Sequence, residues 1–201
     1  MNTTFFLIRH GEVDNPKKIV YGRTQIPLSE EGKLQIRNLA TKLKEENIKP
    51  DVIFSSDLKR TVQSTKEILK VFPKTPIIYS KDLEEVDIGG LLGRLLSWQD
   101  SIGDIYNAKE CQEMNIERPE SIINRQMKVI KKASTKYFSK TIFIVGHLQP
   151  LNFLIWKLLH PSEKKIAPIT DILSKFRLEK DQAWKVVLDE KLKVLEYSLV
   201  C

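Results

Sequence analysis

Short apolar runs that end at a turn recur along this chain. The first is Phe5-Phe6-Leu7-Ile8, which runs straight into Arg9-His10-Gly11. An uninterrupted run of that length closed by glycine predicts a strand buried on both faces. Asp51-Val52-Ile53-Phe54 repeats the pattern and ends at Ser55-Ser56-Asp57. Thr141-Ile142-Phe143-Ile144-Val145 repeats it again and ends at Gly146-His147. Pro76-Ile77-Ile78-Tyr79 predicts a fourth, brief strand. Between these runs the spacing turns helical. Ser29 reads as an N-cap for a helix over 30–46, with Leu34, Ile36, Leu39, Ala40 and Leu43 among its apolar positions. Asp57 reads as the N-cap of a helix from Leu58 to about Val71. Pro119 opens a helix reaching about Phe138, and a further helix runs from near Pro150 to His160, where Pro161 stops it. The tail alternates at Leu173, Phe176 and Leu178, then at Trp184, Val186 and Leu188. That predicts a hairpin or edge strands about Lys180-Asp181-Gln182.

Strands alternating with helices predict a three-layer α/β/α fold with a mostly parallel central sheet. The strands ending near residues 8, 54 and 145 should be parallel neighbours that open on one rim. Residues 80–118 carry four glycines and no clear period. They read as a loop with one or two short helices, and as a lid or specificity insertion within a single domain over 1–201. No repeat or linker interrupts the chain.

Composition changes this picture little. Of 201 residues, 41% are hydrophobic and 29% charged, which is ordinary globular usage and argues against disorder. Lys and Arg number 33 against 26 Asp and Glu, a net +7 that leans toward anionic ligands. The basic residues are scattered and interleaved with Glu30-Glu31, Glu45-Glu46 and Glu84-Glu85. A nucleic-acid surface, which needs a clustered basic stripe, is therefore not expected. No stretch approaches the ~18 apolar residues of a membrane span. The first apolar run is too short, and too soon followed by Arg9, for an export signal. Cys111 and Cys201 make no disulfide framework, so free thiols and a cytoplasmic location are expected.

The chemistry collects on the predicted rim. Arg9 and His10 follow the first strand, Arg60 lies in the first turn after the second, and His147 follows the third. Ligands of α/β proteins sit beyond the carboxyl ends of strands, and helix N-termini there favour anions. Two Arg and two His suit a phosphoryl group, whose equatorial oxygens need several fixed donors. Only Glu12 and Asp57 closely follow these strands as carboxylates, so an anion pocket is the expectation and no metal is.

Leu7-Ile8-Arg9-His10-Gly11-Glu12 resembles the Arg-His-Gly signature of the histidine phosphatase superfamily, in its phosphoglycerate mutase-like branch. Further blocks resemble that family in the same order. They are Gly22-Arg23 with Pro27 to Gly32, Ser55 to Ser64, Leu83 to Gly89, Pro119-Glu120-Ser121 with Arg125, and Val145-Gly146-His147. The chain departs from the usual pattern at Gln25, Leu92, Pro119 and Leu148. The resemblance implies that His10 attacks phosphorus and becomes phosphohistidine. It implies that Arg9, Arg60 and His147 hold the phosphoryl oxygens, with Asn15 and Arg23 as further phosphate-binding candidates. It implies that Glu85 protonates the leaving alcohol and then activates water. Glu120 and Ser121 are rim candidates. The expected activity is metal-independent hydrolysis of a small phosphomonoester, without a cofactor; a homodimer is one option for its assembly. A cofactor-dependent phosphoglycerate mutase, or an inactive relative that binds a phospho-ligand, are the alternatives.

Overall fold

A computed structural model of the chain describes residues 2–200. The strands are β1 (Thr3–Arg9), β2 (Val52–Ser55), β3 (Ile77–Tyr79), β4 (Thr141–Gly146), β5 (Ala183–Leu188) and β6 (Val194–Val200). The α-helices are α1 (Glu30–Glu45), α2 (Lys59–Val71), α3 (Leu96–Ile102), α4 (Pro119–Lys136), α5 (Leu148–Leu159) and α6 (Ile169–Phe176). Among the described residues the strands form one sheet in the order β3-β2-β4-β1-β5-β6. The first four run parallel, and β5 and β6 extend the sheet antiparallel.

Strand periodicity divides the core into two halves. Phe5 and Leu7 of β1, with Ile142 and Ile144 of β4, face the layer that holds α4, α5 and α6. Phe6 and Ile8, with Phe143 and Val145, face α1 and α2 through Ile36, Leu39, Leu43 and Ile68. A run with no polar interruption is what a strand covered on both faces requires, and all four residues Phe5, Phe6, Leu7 and Ile8 are buried. Leu34 of α1 lies off the buried stripe and is exposed.

Two expectations are corrected. The tail is not extended from Leu173 to Leu178. Ile169, Ile172 and Phe176 recur at helical spacing and bury one face of α6, and the hairpin lies further on, between β5 and β6. Phe176 and Leu178, two apart, suggest alternation, whereas Leu173 and Phe176, three apart, already follow the helical spacing of Ile169 and Ile172. Asp57 does not cap α2. The Ser56 hydroxyl accepts the Leu58 N–H at 3.3 Å, and Gln25 Oε1, from a distant loop, accepts the Lys59 N–H at 2.8 Å. The Ser29 cap does form, its hydroxyl accepting the Gly32 N–H at 3.0 Å. Cys111 is buried with a free thiol, while Cys201 lies outside the described residues.

The turn after β1 presses directly against α1. A Cβ on Gly11 would sit 2.1 Å from the Gly32 carbonyl oxygen, and one on Gly32 would sit 2.0 Å from the Glu12 carbonyl oxygen. Neither backbone can retreat without moving His10. Gly32→Ala should therefore cost about 1–3 kcal/mol and lower Tm by roughly 2–12 °C, as measured by calorimetry; an unchanged Tm would contradict this close approach.

Candidate active site

The β1–β4 register builds the site. Arg9 lies opposite Gly146, and the His10 N–H donates to the Gly146 carbonyl at 3.1 Å. Each strand then delivers its histidine at the same level, and the two rings meet edge to face with centroids 5.2 Å apart. Both side chains are buried.

His10 is held at one nitrogen. Its Nδ1 lies 2.7 Å from the Gly11 carbonyl oxygen, an acceptor only, so Nδ1 carries the proton and Nε2 keeps its lone pair. Gly11 is fixed in turn by its N–H, which donates to Ser64 Oγ on α2 at 3.3 Å. Burial pushes the His10 imidazole well below its ordinary pKa, and the positive charges of Arg60 and Arg9 add to this. The ring is thus neutral at pH 7, as a nucleophile must be.

Arg60 is fully buried in the first turns of α2. Its Nε–H donates to His147 Nδ1 at 3.2 Å, its Nη1 to the Thr24 carbonyl at 3.0 Å, and its Nη2 to the Gly22 carbonyl at 2.7 Å. The Tyr21 ring covers its guanidinium, 5.0 Å from Cζ to centroid. An arginine cannot accept, so His147 must carry its proton on Nε2, which faces Ser56 Oγ at 3.0 Å. Burial, followed by the Arg60 charge, keeps His147 well below its ordinary pKa. Arg60 still has one N–H on each Nη for an anion. Arg9 has more to spare: Nη1 makes one long bond, 3.4 Å, to the Leu178 carbonyl, and Nε is buried without an acceptor.

Glu85 completes the cluster. One carboxylate oxygen and one ring nitrogen each from His10 and His147 all lie within 4.8 Å of one another. Burial pushes the Glu85 carboxyl above its ordinary pKa, against the opposing pull of Arg60, the Val86 N–H, Arg9 and Arg125. Its neighbour Glu84 turns elsewhere, with Oε2 3.4 Å from Arg23 Nε. These same three ligand atoms are the ones a divalent cation would meet here.

The other candidates are placed differently. Asn15 is occupied within its own loop, donating to the Ile19 carbonyl at 2.9 Å and accepting the Ile19 N–H at 3.3 Å. Arg23 donates to the Glu85 carbonyl at 2.9 Å and to Glu117 Oε2 at 2.9 Å, so its guanidinium is engaged by the loop that carries Glu85. Glu120 is exposed, and Ser121 Oγ donates to Glu117 Oε1 at 3.0 Å. Leu148 opens α5 and packs against the core, while Leu92 is exposed. Sequence reasoning missed Tyr21, Ser56, Ser64, Glu117 and Lys180. Lys180 pairs with Glu12 beside Arg9, and burial lowers its pKa to about 8, with Arg9 adding to the shift. Ser56 and Ser64 lie within the Ser55 to Ser64 block without being singled out there, while Tyr21, Glu117 and Lys180 carry no motif and are brought in by the fold alone.

Residues 5–186 match the family described as the histidine phosphatase superfamily (branch 1), and the chain belongs to it. It is 23% identical to phosphoglycerate mutase-like protein 4 of Arabidopsis thaliana, over 90% of this chain and 81% of that protein. It is 28% identical to phosphoserine phosphatase 1 of Hydrogenobacter thermophilus, over 76% of this chain and 74% of that protein. The fold is shared with the α-ribazole phosphatase of Shigella flexneri, at a TM-score of 0.75 and 22% identity, covering 95% of this chain and 93% of that one.

The buried histidines carry a signed pH effect. Both folded pKa values lie below the unfolded value near 6.5, so the unfolded state takes up protons first as pH falls. Their contribution to stability is present above about pH 6.5 and is lost below it. The urea midpoint should fall between about pH 7 and pH 5, and His10→Gln should flatten that fall; an identical slope would contradict the neutral assignment.

Proposed function

We propose that the protein hydrolyses small phosphomonoesters through a phosphohistidine formed on His10, without a metal. The observation that carries this reading is the 2.7 Å bond from His10 Nδ1–H to the Gly11 carbonyl, which leaves Nε2 unprotonated beside Glu85. Phosphatase-named relatives and the family support the hydrolytic outcome.

The Nε2 lone pair attacks phosphorus while the bond to the ester oxygen breaks. The departing electron pair goes to that oxygen, which takes the proton of the Glu85 carboxyl. The raised pKa of Glu85 keeps that proton available closer to neutrality than an ordinary carboxyl would. Arg9 and the free N–H groups of Arg60 take the equatorial oxygens, and His147 reaches them by exchanging its Ser56 contact. Water then attacks the phosphohistidine and returns a proton to Glu85. The N–P bond breaks, phosphate leaves, and His10 is again neutral with Nδ1 still on Gly11. Residues 80–118 form the wall that selects the leaving group. They are stitched to the loop after His10 through the Val20 N–H to the Arg94 carbonyl, 2.8 Å, and the Leu96 N–H to the Lys18 carbonyl, 2.8 Å.

Hydrolysis of an aryl phosphate should persist in excess EDTA and fall by roughly 10³-fold or more in His10→Ala. Loss of activity on chelation, restored by a divalent ion, would assign the same three ligands to a metal instead.

A further inference from the structure

Glu85 sits on an irregular stretch with no strand or helix to aim it. The carbonyls of Asp82, Glu84 and Glu85 itself are nonetheless gripped from outside. Arg125 of α4 donates through Nη1 to the carbonyls of Asp82 at 3.0 Å and Glu84 at 2.6 Å, and through Nη2 to that of Glu85 at 3.1 Å. Arg23 donates through Nε to the same Glu85 carbonyl at 2.9 Å. Two guanidiniums therefore meet at one peptide oxygen, where their like charges repel.

Glu117 lies between them. Its Oε1 accepts Arg125 Nε at 2.9 Å, and its Oε2 accepts Arg125 Nη2 at 3.1 Å and Arg23 Nη2 at 2.9 Å. It also takes the Ser121 hydroxyl at 3.0 Å and the Asp87 N–H at 3.3 Å. The Glu117 and Arg125 side chains are only 9% and 10% exposed, so this is not a solvent-screened surface pair. Burial pushes the Glu117 carboxyl up, but the Arg125 bonds and charge, the Asp87 N–H and Arg23 together bring it below the ordinary range.

We infer that Glu117 is a positioning residue for the acid step: its carboxylate locks Arg23 and Arg125 into the clamp that holds the Glu85 peptide and so aims the Glu85 carboxyl at the ester oxygen. This goes beyond the reading of Glu85 as the acid and rests on it. Replacing the carboxylate by an amide removes the charge between the two arginines and turns one acceptor into a donor. The clamp then loosens around Glu85 while His10, Arg9 and Arg60 keep their own contacts.

The test uses the sensitivity of the first step to its leaving group. A nitrophenolate departs without help, whereas an alkoxide needs its proton. Glu117→Gln, Arg23→Gln and Glu85→Gln are compared with wild type on p-nitrophenyl phosphate and on glycerol 3-phosphate, with kcat/KM measured under one set of conditions. Glu85→Gln should lose at least about tenfold more activity on the alkyl ester than on the aryl ester. Glu117→Gln should show the same split in smaller measure, and Arg23→Gln, which removes one arm of the clamp, should follow it. Equal losses on the two esters in Glu117→Gln would assign it a merely structural part and overturn the inference while leaving Glu85 as the acid. If Glu117→Gln does not fold, the split in Arg23→Gln decides the matter on the same terms. Absence of a split in Glu85→Gln would overturn the acid assignment and the clamp with it.

Discussion

The parallel pairing of β1 with β4 is the contact on which the site depends. It sets Arg9 opposite Gly146 and lets the His10 N–H reach the Gly146 carbonyl, so that the residues leaving both strands emerge level. Both faces of β1 are apolar, and a slip of one residue would still bury Phe5 to Ile8. What a slip would destroy is the site, because His10 and His147 would leave the sheet at different heights and opposite faces. The turn after β1 reinforces the register. Gly11 touches α1 at Gly32 and α2 through Ser64, so His10 is held by three elements within two residues.

Arginine donors and histidine tautomers then explain one another. Arg60 is buried and can only donate, so His147 must receive at Nδ1 and carry its proton on Nε2. Gly11 offers His10 only a carbonyl, so His10 must carry its proton on Nδ1. Burial keeps both imidazoles neutral, and the positive charges of Arg60 and Arg9 add to it. Arg60 makes a bond from each of its nitrogens to the protein, whereas Arg9 keeps a buried Nε without an acceptor. Arg9 is thus the more adaptable of the two, and Arg60 the more rigid.

The parallel strands and the residues at their exits were legible from the chain because each strand is an uninterrupted apolar run and each catalytic candidate but Glu85 lies within a few residues of a strand end. The tail was harder: Phe176 and Leu178 keep the same alternation as Trp184, Val186 and Leu188, and only Ile169 and Ile172, at helical spacing with Leu173 and Phe176, mark the helix. Capping of α2 was hidden because its acceptor, Gln25, comes from a loop over thirty residues earlier in the chain. Arg23 illustrates the same limit. Its position near the signature suggests an anion ligand, yet three acidic side chains and a carbonyl draw it to the Glu85 loop. Glu117 left no sequence signal, because its contacts with Arg23 and Arg125 arise only when two different segments fold against it.

The central claim is that all substrates pass through one phosphohistidine. Product partitioning tests it directly. The enzyme is run in aqueous methanol on a series of phosphomonoesters with different leaving groups, and methyl phosphate is measured against inorganic phosphate. A common phosphoenzyme loses its leaving group before the acceptor is chosen, so the product ratio should be the same for every ester. A ratio that changes with the leaving group would mean that water attacks the bound ester directly, and His10 would then not be the nucleophile.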